Sequence, residues 1–75
     1  MPGISERNLH DLFAIAIEEE RKAQALYRQA AVLAGADTPL GRMFTQLAND
    51  EAAHERTLLA DYADFKATWI EQTHI

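Results

Sequence analysis

Two apolar stripes, each recurring at steps of three and four residues and separated by a single break, leave this chain few folds to choose from. That spacing is the period of one face of an α-helix. The first stripe is Leu9, Leu12, Phe13, Ala16, Ile17, Ala23, Tyr27, Ala30 and Ala34; the second is Leu40, Met43, Phe44, Leu47, Leu58, Tyr62, Phe65 and Trp69. The break reads Ala34-Gly35-Ala36-Asp37-Thr38-Pro39, with Gly35 as a helix stop, Thr38 as an N-cap and Pro39 as the first residue of a new helix. The expected fold is all-α: one domain over residues 1–75, folded as a long antiparallel helical hairpin. Helix one is expected over about 6–34, where Gly and Pro are absent and strong helix formers abound. Ser5 suits its N-cap, with Ile4 and Leu9 as a hydrophobic staple. Helix two is expected over about 39–62 or longer, with Gly41 tolerated in its first turn. The pattern through Phe65 and Trp69 leaves open a short third helix to about 71.

A hairpin of 75 residues cannot bury both of its apolar faces alone, and chains this small need disulfides, metals or self-association. Cysteine is absent, which leaves the last two. The net charge of -5, with seven scattered Lys and Arg, argues against nucleic acid as a partner. No apolar run is long enough for a membrane span, and Met1-Pro2-Gly3 lacks the features of a signal peptide, so the expected compartment is the cytoplasm.

Both stripes carry ligand chemistry where oil is expected: Glu20 in the first, Glu51 and His54 in the second. Residues three apart share a helix face, so Glu51 and His54 can serve one metal ion. Residues equidistant from the turn become neighbours in an antiparallel hairpin. The mean of 20 and 54 is 37 and that of 20 and 51 is 35.5, both inside the break, which puts the three at one level. One hairpin supplies two carboxylates and one imidazole. Two hairpins supply four Glu and two His, the inventory of carboxylate-bridged di-metal four-helix bundles. A symmetric homodimer would complete the site and cover the apolar faces together.

The run Ala16-Ile17-Glu18-Glu19-Glu20-Arg21-Lys22-Ala23-Gln24-Ala25-Leu26-Tyr27, followed by Leu47-Ala48-Asn49-Asp50-Glu51-Ala52-Ala53-His54, resembles the metal-binding helices of the rubrerythrin and ferritin-like superfamily. A ligand Glu stands seven residues before a Tyr, and Glu-x-x-His follows on the next helix. Since the chain holds half of the usual four helices, it is most similar to the encapsulated ferritins, two-helix chains whose ferroxidase centre forms on dimerisation. The resemblance covers about residues 9–62. It implies Glu20, Glu51 and His54 as iron ligands used twice, a four-helix bundle per dimer, a larger ring-like homo-oligomer and oxidation of ferrous to ferric iron for storage or detoxification. It also implies Glu19 on an iron entry path, where Lys22 takes the place of a further acid. An encapsulin shell is the partner such chains occupy; this sequence ends at Trp69-Ile70-Glu71-Gln72-Thr73-His74-Ile75 without the usual targeting extension.

Two other functions compete. A rubrerythrin-like peroxide scavenger would use the same ligands with an external reductant, since the Cys of a rubredoxin-type site are absent. A metal-free helical dimerisation module would use the acids and His54 as a polar network. Fe, Mn and Zn all accept Glu and His. Tyr27 is expected as core, or as a hydrogen-bond partner of a ligand carboxylate. Met43, Phe44, Phe65 and Trp69 are expected as packing, with Trp69 at an oligomer contact. His10 and His74 are expected on the surface. Glu55 with Arg56, and Glu18 with Lys22, are expected as solvated ion pairs.

Overall fold

The computed structural model describes the backbone of residues 6–73 and the side chains of residues 8–68. It contains two helices, α1 (Glu6–Ala34) and α2 (Pro39–Thr73), packed against each other as an antiparallel hairpin. The stretch left open as a third helix is the uninterrupted continuation of α2. The expected roles of Ile4, Ser5, Trp69 and His74 fall outside the described side chains.

The break folds as its residues dictate. Gly35 has φ +93, the left-handed conformation that ends a helix at little cost only for glycine. Its N–H donates to the Val32 carbonyl at 3.2 Å. The Thr38 hydroxyl accepts from the Gly41 N–H at 3.0 Å, which is N-cap geometry, and donates to the Gly35 carbonyl at 2.7 Å. Gly41 is more than tolerated. It is buried against the turn, and a Cβ built there would collide with the Gly35 carbonyl oxygen. The close approach of α2 to the end of α1 therefore requires glycine.

Aromatic side chains pack the two ends of the seam. Phe13 stacks on Tyr62 at 5.0 Å and on Phe65 at 5.7 Å between ring centroids, far from the turn. Near the turn, Tyr27 stacks on Phe44 at 6.3 Å. His10, expected on the surface, belongs to the first cluster. Three residues before Phe13, it shares that residue's face, meets Phe65 edge-on at 5.1 Å, and is hydrogen-bonded through Nδ1 to Tyr62 Oη at 2.8 Å.

Between the aromatic ends the seam is narrow. The buried apolar side chains among the described residues are Ile17, Ala31 and Ala48, all short or medium in size. The molecule measures 57 × 25 × 13 Å, a plank one helix thick, and its radius of gyration of 17.0 Å far exceeds the value of about 11 Å for a compact chain of this length. Leu12 remains 51% exposed, Leu40 52% and Met43 47%. All three belong to the periodic stripes, so part of each apolar face has no cover within one chain.

Candidate metal centre

Glu20, Glu51 and His54 converge. Each offers one ligand atom, and these atoms lie within 4.8 Å of one another. His54 Nδ1 stands 3.5 Å from Glu20 Oε2 and 3.5 Å from Glu51 Oε2, too long for good hydrogen bonds and short enough for ion pairing. The helical phase explains the meeting. Glu51 and His54 are one turn apart on one face of α2, and the turn sets Glu20 of α1 at their level.

The site is electrostatically unbalanced. Glu20 Oε2 is buried and has no hydrogen-bond partner, although the Glu20 side chain as a whole is partly exposed. Leaving a buried carboxylate oxygen unpaired is costly. The Glu20 carboxyl is held above its ordinary value, first by a hydrogen bond with Glu51 that its protonated form makes, then by desolvation and by the Glu51 charge. His54 pulls it the other way. Two converging carboxylates with one imidazole lack the positive charge that would let both ionise freely. His54 itself is largely exposed, with its side chain 61% accessible, on the same open flank as Met43.

The same level of the seam carries a second carboxylate cluster. Glu55 Oε2 accepts from Arg21 Nε at 2.9 Å and Glu55 Oε1 from Gln24 Nε2 at 2.6 Å. These bonds, Gln24 first and Arg21 second, hold the Glu55 carboxyl below its ordinary value. Glu55 was expected in a solvated pair with Arg56; it reaches across to α1 instead, because its position on α2 faces the seam. The turn-midpoint rule could have found this cluster, since the mean of 21 and 55 is 38.

Other expected site residues lie elsewhere. Lys22 pairs with Glu19 at 3.3 Å on the exposed surface of α1, in place of the expected Glu18 pair, so the acid expected at an iron entry path is matched by a neighbouring cation. Tyr27 lies two turns from Glu20, about 10 Å along the axis, with its ring stacked on Phe44. Its observed contact is packing. Among the described residues no helix is long and apolar enough to cross a membrane.

No protein-family model matches the chain, and neither curated proteins nor solved structures provide a match. The Glu-Glu-His group can hold a metal ion, by its own geometry and donor chemistry.

Proposed function

We propose that two copies of this hairpin pair through the flank that bears Glu20, Glu51 and His54, and that the resulting four-helix bundle takes up two ferrous ions and oxidises them to ferric iron. The observation that carries this reading is the buried Glu20 Oε2, which lacks a hydrogen-bond partner and lies in one cluster with ligand atoms of Glu51 and His54. A cation would satisfy that oxygen and relieve the carboxylate repulsion in one step. The donor set fits: two hard carboxylates and an imidazole suit iron, and accept manganese or zinc as well.

A second copy is supported by the ligand count and by the open flank. Three ligands per chain are too few for two ions, whereas two chains supply the four Glu and two His of di-metal bundles. Ala16 and Ala23 follow the Glu20 face of α1 and are small enough to let a partner helix approach closely. Leu12, Leu40 and Met43 are exposed apolar side chains that such a partner would cover.

Iron here is the substrate. Two ferrous ions release two electrons; dioxygen takes them with two protons and leaves as hydrogen peroxide, or hydrogen peroxide takes them with two protons and leaves as two waters. The side chains ligate and position. Metal binding requires the deprotonated ligand, so a cation would oppose the Glu51 hydrogen bond and the desolvation that raise the Glu20 carboxyl. The carboxylate charge then favours the ferric product over the ferrous substrate.

Native mass spectrometry after anaerobic loading with ferrous iron tests this. The expected result is two irons for every two chains, in even-numbered assemblies alone, with Glu51→Ala retaining its helix content and taking up none. Well-folded wild-type oligomers that bind no iron would overturn the proposal and leave the metal-free dimerisation module.

A further inference from the structure

We infer that Arg21, Gln24 and Glu55 form a register clasp that positions Glu20 against Glu51 and His54 without touching the metal. The inference rests on the metal-site reading above for its purpose, though the clasp itself is a contact of the single chain.

Adjacency is the first support. Arg21 follows Glu20 and Glu55 follows His54, so each arm of the clasp is one peptide unit from a ligand. Successive residues on a helix diverge by about 100°, so Arg21 points away from Glu20 and Glu55 away from His54, while Gln24 and Glu55 follow Glu20 and Glu51 by four residues along the seam. Tension or slippage at Glu55 is thus transmitted to His54 through a single backbone link.

Geometry is the second. Both oxygens of Glu55 are engaged, one by Arg21 at 2.9 Å and the other by Gln24 at 2.6 Å. Arg21 and Gln24 lie three apart on one face of α1, so one carboxylate is held at two heights of the opposing helix. A charge-assisted pair with two anchor points fixes both rotation and translation in a way that a single contact cannot.

The third is what else could set the register. The large interlocking rings sit at the ends of the seam, while the middle offers mainly Ile17 and Ala48 among its buried side chains. Alanine against a neighbouring helix permits sliding and rotation that an aromatic knob would block. Among the described residues, the clasp supplies the cross-seam hydrogen bonds at the level of the ligands. The groups facing Glu55 are Arg21 and Gln24 from α1 and the neighbouring Arg56 charge from α2, none of them a ligand.

The test uses the full chain in two states. In metal-free protein, the proximity of the His54 ring to the Glu20 side chain is read as a nuclear Overhauser contact. With cobaltous ion as the probe, affinity and the visible absorption that reports coordination are read by titration. Glu55→Leu is expected to lose the His54–Glu20 contact and to weaken cobalt binding roughly tenfold or more, the scale for residues that orient ligands. Exchanging the partners, Arg21→Glu with Glu55→Arg, is expected to recover both, with a favourable coupling in the double-mutant cycle. Should Glu55→Leu fail to fold, Arg21→Met, at an exposed site, is read by the same criteria. Retention of the contact and of cobalt affinity within about twofold in the variant that folds would overturn the inference. A wild type that shows the contact, loses it in Glu55→Leu and binds no cobalt would uphold the clasp while removing the metal reading.

Discussion

Glu55 and Glu20 occupy the same level of one hairpin, in neighbouring clusters along its seam, and they are in opposite electrostatic condition. Both oxygens of Glu55 accept hydrogen bonds, one of them from a guanidinium, and its carboxyl is easier to ionise than usual. Glu20 has a buried oxygen with no hydrogen-bond partner and a second carboxylate beside it, and its carboxyl is harder to ionise than usual. The chain supplies a matching cation to one cluster and a further acid to the other. A cluster with its charges matched serves the fold, and a cluster short of positive charge is a place to receive it.

The largest effect that separates the two clusters is metal-linked stability. At a free ferrous ion concentration 100 times the dissociation constant, binding to the folded state alone adds about 2.7 kcal/mol. Scanning calorimetry under nitrogen should show this rise in full for wild type, a reduced rise for Glu55→Gln at the same ferrous concentration because its clasp is weakened, and none for Glu20→Gln. A rise of equal size in Glu20→Gln would dissolve the distinction between the clusters.

Tyr62→Phe provides an uncharged reference. It removes the hydrogen bond to His10 while keeping the ring that stacks on Phe13, and should cost about 1 kcal/mol by chemical denaturation, equally with and without metal. A metal-dependent cost would mean that the aromatic end communicates with the site.

The smallest effect is in the pH dependence of the metal-free protein, because both carboxyl groups are reached by solvent. Glu55, lowered in the folded state, contributes stability that is present above its unfolded value and is lost as pH falls through the folded one. Glu20, raised in the folded state, contributes stability that is present below its unfolded value and is lost as pH rises through the folded one. Thermal midpoints between about pH 3 and 7, spanning the ordinary carboxylate range, should therefore flatten on the acid side in Glu55→Gln. In Glu20→Gln the protein should gain at neutral pH relative to wild type. Parallel curves for the two variants would show that the two clusters do not differ.

The hairpin and its turn were legible because local rules govern them. Periodicity marks the faces, and Gly35, Thr38 and Pro39 carry their turn chemistry with them. The level match of Glu20 with Glu51 and His54 was also legible, since in an antiparallel hairpin position along the chain converts to height. The partnering of long side chains was not. Glu55 chose Arg21 and Gln24 over Arg56, and Lys22 chose Glu19 over Glu18, because side-chain reach across or along a helix depends on rotation about the axis, which spacing leaves undetermined. His10 was misread for a related reason: nearness to a chain end says little when the opposing helix extends past it to bring Tyr62 and Phe65 alongside. Gly41 was seen as permitted and is in fact demanded, a distinction visible only once the carbonyl of Gly35 is in place.

That close contact at Gly41 governs how such a molecule can change in length. A residue inserted into the turn would have to displace a helix that has no slack against it, and would shift one arm by about 1.5 Å and 100° relative to the other. Both mid-level clusters would then fall out of step together. Between the turn and the clusters, additions or deletions keep both level and facing only when they are equal on the two arms and amount to whole turns, about seven residues each.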